Sequence, residues 1–188
     1  MMNDRIPDED LLERAREGDQ AAFRTLVERY EHVVAATVIG MLGPGAEADD
    51  VGQETFISFY TALKKFRGEA SLKTYLTRIA INQSLNALKR RKRFRSRHVE
   101  GELIETIELD AGEGSADRAE SREVREVVRS AIDRLAPKQR AVVTLRLIDG
   151  YSTRETAEIL GVPEGTVLSR LSRALKRLQP HLQPLMEA

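Results

Sequence analysis

The chain has no cysteine, which excludes a disulfide framework, a thiol nucleophile and a cysteine-based zinc site. Histidine is scarce: His32, His98 and His181 lie far apart in the sequence and form no cluster of ligands. No metal site and no cofactor are therefore expected. The longest apolar run, residues 33–42, is too short to span a bilayer and includes Thr37 and Gly40. The opening MMNDRIPDED is acidic, unlike a basic-then-apolar export signal. A soluble, cytoplasmic protein without direct membrane insertion is expected. No glycine-rich loop precedes a Lys-Ser/Thr pair to cradle phosphate. Asp49 and Asp50 are adjacent, so on a helix they diverge by about 100 degrees and do not face one site. Glu54 does share a face with Asp50, as a solvated or partner-facing acidic patch. Nothing here predicts an enzyme or a small-molecule substrate.

Charge of one sign is not in excess overall, since 30 Lys and Arg balance 30 Asp and Glu. The balance hides a sorting. From Leu63 to His98 there are twelve Lys or Arg against the single acid Glu69. From Val99 to Asp117 there are seven acids and no base, and from Met1 to Thr55 acids outnumber bases 13 to 5. A basic block between acidic segments is the pattern of a nucleic-acid-binding surface on a protein with further partners.

Alternation of period two persists nowhere, so no sheet is predicted; helical spacing is everywhere. A first helix spans about Pro7 to Glu17 and stops at Gly18. Asp19 caps a second, with Phe23, Leu26, Val27, Tyr30, Val33 and Val34 as its apolar stripe, ended by Gly43-Pro44-Gly45. A third runs from about Ala46 to Phe66, with Val51, Phe56, Phe59, Tyr60 and Leu63 facing inward. Ser71 caps a fourth after the loop 67–70, and this helix ends in the basic run KRRKRFRSR. Its polar Asn82, Gln83, Ser84 and Asn86 can bond bases or sugars. Phe94 lies in the basic run, and Phe66 and Tyr75 flank the preceding loop. Cations for phosphates with aromatics for stacking are the ingredients of a single-strand binding surface.

From His98 to about Ala119 the periodicity is lost in an acidic, glycine-containing stretch that reads as a flexible linker. Helices resume over about Glu120–Leu135 and Pro137–Asp149. The segment LIDGYSTRETAEILGVPEGTVLSRLSRALKRL then reads as a helix-turn-helix. Ser152 with Glu155 forms a capping box. Gly161 suits the left-handed position that ends a helix, and Pro163 suits the first turn of the next. In that last helix Val167, Leu171, Leu175 and Leu178 are the expected buried stripe. Glu164, Gly165, Leu168, Ser169, Ser172 and Arg173 form the opposite face, able to meet base edges in a major groove. The fold class is all-α: two small helical domains, 1–97 and 120–188, joined by a flexible acidic linker over 98–119, the C-terminal one a helix-turn-helix.

The segment AEADDVGQETFISFYTALKKFRGEASLKTYLTRIAINQSLNALKRRKR resembles the N-terminal domain of the extracytoplasmic-function class of bacterial sigma factors. AIDRLAPKQRAVVTLRLIDGYSTRETAEILGVPEGTVLSRLSRALKRL resembles their C-terminal domain, and the likeness covers almost the whole length. The resemblance implies three surfaces. Asp49, Asp50, Gln53, Glu54 and Phe56 would dock on core RNA polymerase. Phe66, Arg67, Lys73, Thr74, Arg78, Asn82, Asn86, Lys89, Arg90, Arg91, Lys92 and Arg93 would read and help melt the −10 element. Ser152, Thr153, Glu164, Thr166, Leu168, Ser169, Arg170, Ser172 and Arg173 would read the −35 element. It also implies promoter DNA and an anti-sigma factor as partners, and a linker directed toward the RNA channel of the polymerase.

The sequence departs from the family pattern at Gly52, where an apolar residue is common, and at Tyr60 and Tyr75, where Trp is usual. Leu168 and Ser172 replace a basic and a bulkier residue on the base-reading face. Leu cannot make the bidentate contact of Arg to guanine but can pack on a thymine methyl, which predicts an unusual or weakly read −35 element. Two other readings use the same residues: a sigma-like decoy that binds only an anti-sigma factor, and an autonomous helix-turn-helix regulator.

Overall fold

The computed structural model of the protein describes residues 6–68, 70–97 and 116–185. Every regular element among the described residues is helical. In the N-terminal half, α1 (Asp8–Arg16) and α2 (Gln20–Leu42) meet at Gly18, whose φ of 99 few other residues adopt. Asp19 accepts from the N–H groups of Ala21 and Ala22 and pairs with Arg14. It thereby satisfies two of the donors that a helix start leaves free. The Ala22 N–H and then Arg14 hold its carboxyl below the usual carboxylate range.

α3 (Ala46–Ala62) is shorter than its periodicity predicts. A 3-10 turn over Leu63–Lys65 follows, and Phe66 is already extended. Arg16 donates to the carbonyls of both Leu63 and Phe66, which rewards the tightened exit. Leaving the helix also lets the Phe66 ring pack on Tyr75, at 4.7 Å between centroids, and on Phe59, at 6.3 Å. α4 (Leu72–Arg97) begins at Ser71, whose hydroxyl accepts from the Thr74 N–H, and carries the basic run in its last turns.

Phe59 is the centre of the N-terminal core, in ring contact with Phe23, Phe66 and Tyr75. Leu26, Val34, Val38, Met41, Val51, Leu76 and Ile81 surround it, all buried. Tyr60 is not inward-facing as expected. It is exposed, its edge against Phe23 and its hydroxyl accepting from Gln20. Thr55 is buried, with its hydroxyl hydrogen satisfied by the Val51 carbonyl. Ser84, expected among the base-bonding residues, is also fully buried.

In the C-terminal half, α5 (Ala116–Asp133) begins a turn earlier than Glu120, because Ala116–Ala119 contain nothing that breaks a helix. Residues 98–115 of the expected linker lie outside the described residues. α6 (Pro137–Val143) does not run on regularly to Asp149. It widens into a π-helical turn over Thr144–Ile148, closed by the Asp149 N–H on the Thr144 carbonyl. α7 (Thr153–Leu160) and α8 (Glu164–Leu182) complete the chain's helices. Their small cores join Val142, Ala157 and Val167, and separately Ala131, Ile132, Val143, Ala174 and Leu178. The buried stripe of α8 is therefore Val167, Leu171, Ala174 and Leu178. Leu175, expected within it, is turned about 100 degrees past Ala174 and is 46% exposed.

The two halves are packed together. Ala141, Leu145, Tyr151 and Ile159 belong to the same buried cluster as the N-terminal core. Polar contacts add to these. Thr77 and Tyr151 share a buried hydrogen bond of 2.7 Å, and Thr37 donates to the Asp149 carboxylate at 2.8 Å. At the C-terminus of α2, Arg129 donates to the carbonyls of Ile39 and Gly40, Arg140 to Met41, and Arg91 to Leu42. Three arginines thus meet the carbonyls a helix end leaves unpaired, where its dipole is negative. Two of the three come from the C-terminal half.

Candidate functional site

The first marked surface is the outer face of α3. Asp49, Asp50, Gln53 and Glu54 are exposed, and Phe56 is half-buried against the core. Ile57, 63% exposed, adds an apolar patch beside the acids that the sequence reading passed over. Single exposed apolar residues are common; here the neighbours at three- and four-residue spacing are Gln53 and Glu54, so patch and acids form one face.

The second surface begins where α3 gives way to α4. A cleft of about 190 Å³ is lined by Lys65, Phe66, Arg67, Gly68, Ala70, Tyr75 and Arg78. Its aromatic wall is not a free stacking platform: Phe66 is only 8% exposed. Along α4, Asn82, Asn86, Lys89 and Arg93 are exposed at three- and four-residue spacing, a continuous polar and cationic stripe, with Arg90 and Lys92 exposed beside it. Thr74 is half-buried. Three of the expected DNA contacts are instead engaged within the protein. Arg91 pairs with Glu47 and donates to Leu42. Arg78 donates to the Glu158 carbonyl of α7 at 2.9 Å, and the Lys73 ammonium lies 4.9 Å from the Tyr151 ring centroid.

The third surface is the helix-turn-helix. The capping box is formed: Ser152 accepts from the Glu155 N–H, and Glu155 accepts from the Ser152 N–H. These bonds hold the Glu155 carboxyl below its usual range. Gly161 closes α7 at φ 62, ψ 42, and Pro163 precedes α8. Glu164, Gly165, Leu168, Ser169, Ser172 and Arg173 are exposed, while Thr153, Thr166 and Arg170 are half-buried. Leu168 is 55% exposed. The Ser169 hydroxyl hydrogen is taken by the Thr166 carbonyl, so toward a ligand this side chain offers acceptor lone pairs.

Two family models fit these modules in order: Sigma-70 region 2 over residues 26–94 and Sigma-70, region 4 over residues 125–178. The ECF RNA polymerase sigma-E factor of Salmonella typhimurium is 37% identical, across 98% of this chain and 99% of its own. The chain is an ECF sigma factor. The RNA polymerase sigma-H factor of Pseudomonas aeruginosa is 38% identical, with 95% of each chain covered. Among solved structures, the sigma factor RpoE in complex with the anti-sigma factor NepR from Bartonella quintana is similar, with a TM-score of 0.67 and 25% identity. That likeness covers 86% of this chain and 96% of the other.

In this sigma factor, four residues with no place among the expected contacts hold the two modules together. Burial pushes the Tyr151 hydroxyl pKa up, against the opposing effect of its Thr77 hydrogen bond. Burial likewise raises the Asp149 carboxyl, with Thr37 and Lys73 pulling the other way. Arg140 is only 5% exposed, and burial lowers its pKa while Asp133 at 2.9 Å restores part of it. Arg129 is the fourth, bonded to α2 and to Asp133. For Arg140 the sequence signal is a charge beside the apolar run of Ala141, Val142 and Val143; Asp149 and Tyr151 flank Gly150 in a turn and carry no such signal.

Proposed function

We propose that the chain is a bacterial transcription initiation factor that binds core RNA polymerase and directs it to specific promoters. The observation that carries this reading is the pair of sigma modules, in the family's order, on a chain that matches a sigma-E factor over nearly its full length. Residues 1–97 form the module for polymerase docking and the −10 element, and 120–188 the module for the −35 element, with 98–119 connecting them. Asp49, Asp50, Gln53, Glu54 and Phe56 dock on the polymerase, extended by Ile57. The −10 strand runs along Asn82, Asn86, Lys89, Arg90, Lys92 and Arg93, with a base unstacked toward the cleft beside Phe66 and Tyr75. Unstacking requires a few kcal/mol, which the cationic stripe and the polymerase contacts offset.

The N-terminal turns of α8 present Glu164, Leu168, Ser169, Ser172 and Arg173 to the −35 bases, with Arg170 and Thr166 at the edge and Ser152 and Thr153 on the backbone side. Leu168 packs on a thymine methyl rather than reading guanine. The protein performs no chemistry itself and acts in the cytoplasm; no described helix is long and apolar enough to cross a membrane. An anti-sigma factor is the further partner, as in the complex of the Bartonella relative. The test is run-off transcription with core polymerase on genomic promoter fragments. Discrete transcripts appear only when the protein is present. If core does not bind the protein, the sigma reading fails and the decoy or the autonomous regulator takes its place.

A further inference from the structure

We infer that Gly52 sets the strength of polymerase docking: it is an unfilled position on the contact face of α3, and it holds the affinity for core RNA polymerase below what the same helix could give. The inference rests on the assignment of that face to the polymerase. Of the nine glycines among the described residues, six have positive φ. A seventh, Gly40 of α2, is pressed by the π-helical turn, since an added Cβ would lie 2.6 Å from the Thr144 Cγ2. Gly165 stands in the first turn of α8, where the N–H groups have no helical partners to lose. Among the described residues, Gly52 alone sits in a helix interior with nothing within 4 Å of an added Cβ. Glycine there weakens a helix relative to alanine, because its backbone loses more freedom. No turn and no close packing within the chain offsets that loss.

The neighbours of position 52 on the helix are Ala48, Asp49, Thr55 and Phe56. Ala48 and Thr55 are buried, Asp49 is exposed and Phe56 is half-buried. Helical side chains lean toward the N-terminus, so Phe56 leans over the turn that holds Gly52. Even so, none of its atoms comes within 4 Å of an added Cβ. Position 52 is thus a gap at the border between the core and the exposed acids Asp49, Asp50 and Glu54. An apolar side chain, common here in the family, would meet nothing of this chain at its Cβ and would extend the apolar surface of Phe56 toward a partner. Contacts between proteins are apolar and closely packed at their centre, and this one lacks a side chain beside its half-buried ring. The chain can dock through its acids and still be displaced by any chain that presents the same helix with position 52 filled.

The test is the affinity of the full-length chain for core RNA polymerase, read by biolayer interferometry on immobilised core, with thermal unfolding of each variant alongside. Gly52→Leu should bind core about tenfold more tightly, as when part of a leucine side chain is buried. Gly52→Ala stabilises the helix at least as well but adds only a methyl group. Gly52→Gln has the helix propensity of leucine without its apolar end. Both should raise the unfolding temperature by a few degrees and keep the affinity within about threefold of the unmodified chain. A gain that follows helix stability, equal for Gly52→Ala and Gly52→Leu, overturns the inference. An unchanged or weaker affinity for Gly52→Leu also overturns it, and the weaker result would mean that polymerase fills the gap with a side chain of its own. Glu54→Lys, on the exposed side of the same helix, separates the two assignments. If it weakens core binding and Gly52→Leu does not strengthen it, the inference alone fails. If it leaves core binding unchanged, the assignment of α3 to the polymerase fails and the inference falls with it.

Discussion

The N-terminal core and the seam between the halves are both tightly buried, yet they are built from opposite materials. The core is a cluster of rings and aliphatic side chains around Phe59, in which almost every contact is apolar. The seam has a few apolar residues, Ala141, Leu145 and Ile159, and is otherwise held by Thr37, Thr77, Asp149, Tyr151, Arg129 and Arg140. Apolar surface has no good alternative partner in water, whereas each polar group of the seam can bond to water instead, so its net contribution is modest. A core of the first kind specifies a module that stays folded. A contact of the second kind depends on matching donors and acceptors, so its arrangement is more specific than it is strong.

The comparison breaks most visibly at its centre. Phe59→Ala leaves a cavity among three other rings and should destabilise the protein by about 3–5 kcal/mol in urea unfolding. An intact N-terminal module in that variant would mean the ring cluster is not its foundation. Next in size is Arg140→Met, which keeps the aliphatic stem and withdraws the donor from the Met41 and Asp133 carbonyls. A loss of about 1–3 kcal/mol is expected, the penalty for leaving buried acceptors unpaired. Amide exchange should quicken at the end of α2 and in α6 while the Phe59 region stays protected. Uniform quickening would show that seam and core are a single cooperative unit.

Gly52 sharpens the contrast with Gly40. Nothing lies within 4 Å of a Cβ at position 52, so Gly52→Ala should raise stability by about 1 kcal/mol. The same substitution at Gly40 collides with Thr144. Equal gains in thermal unfolding would remove the steric role assigned to Gly40.

The smallest effect is a pH dependence. Burial raises the pKa of Asp149, so the folded protein holds this proton more tightly than the unfolded chain. The packed arrangement is therefore strengthened as pH falls through that raised value toward the ordinary carboxylate value, and the gain is lost as pH rises back through it, with no further change above. Thr37, Lys73 and Tyr151 are the groups facing it. Asp149→Asn keeps an acceptor for Thr37 and removes the charge. It should flatten the acid side of a profile of unfolding free energy against pH, and a profile left unchanged would assign the dependence to another group.

Much of the fold was legible because it is locally encoded. The Asp19, Ser71 and Ser152 caps depend on residues two or three positions away, and each forms as its spacing predicts. Where the reading failed, a distant partner decided. α3 stops early because Arg16 reaches the carbonyls of Leu63 and Phe66 across the module. Leu175 is exposed because Ala174, one position earlier, is the residue that faces the neighbouring helices. The site was legible in its charges but not in their engagements. Sequence shows that Arg78, Arg91 and Arg93 are cations on one helix. Only the fold shows that the first holds α7, the second holds Glu47 and the third is exposed.

The arginines at the end of α2 have one further consequence. Their partners are uncharged backbone carbonyls, and the bond of Arg140 to Met41 is buried, so salt screens it little. The DNA strand proposed for α4 is a polyanion, whose attachment to lysines and arginines releases counterions and so weakens steeply as salt rises. Potassium or sodium therefore acts strongly on DNA binding and feebly on the contact of Arg140 with α2, so rising salt should release this chain from nucleic acid well before it loosens the joint between its halves.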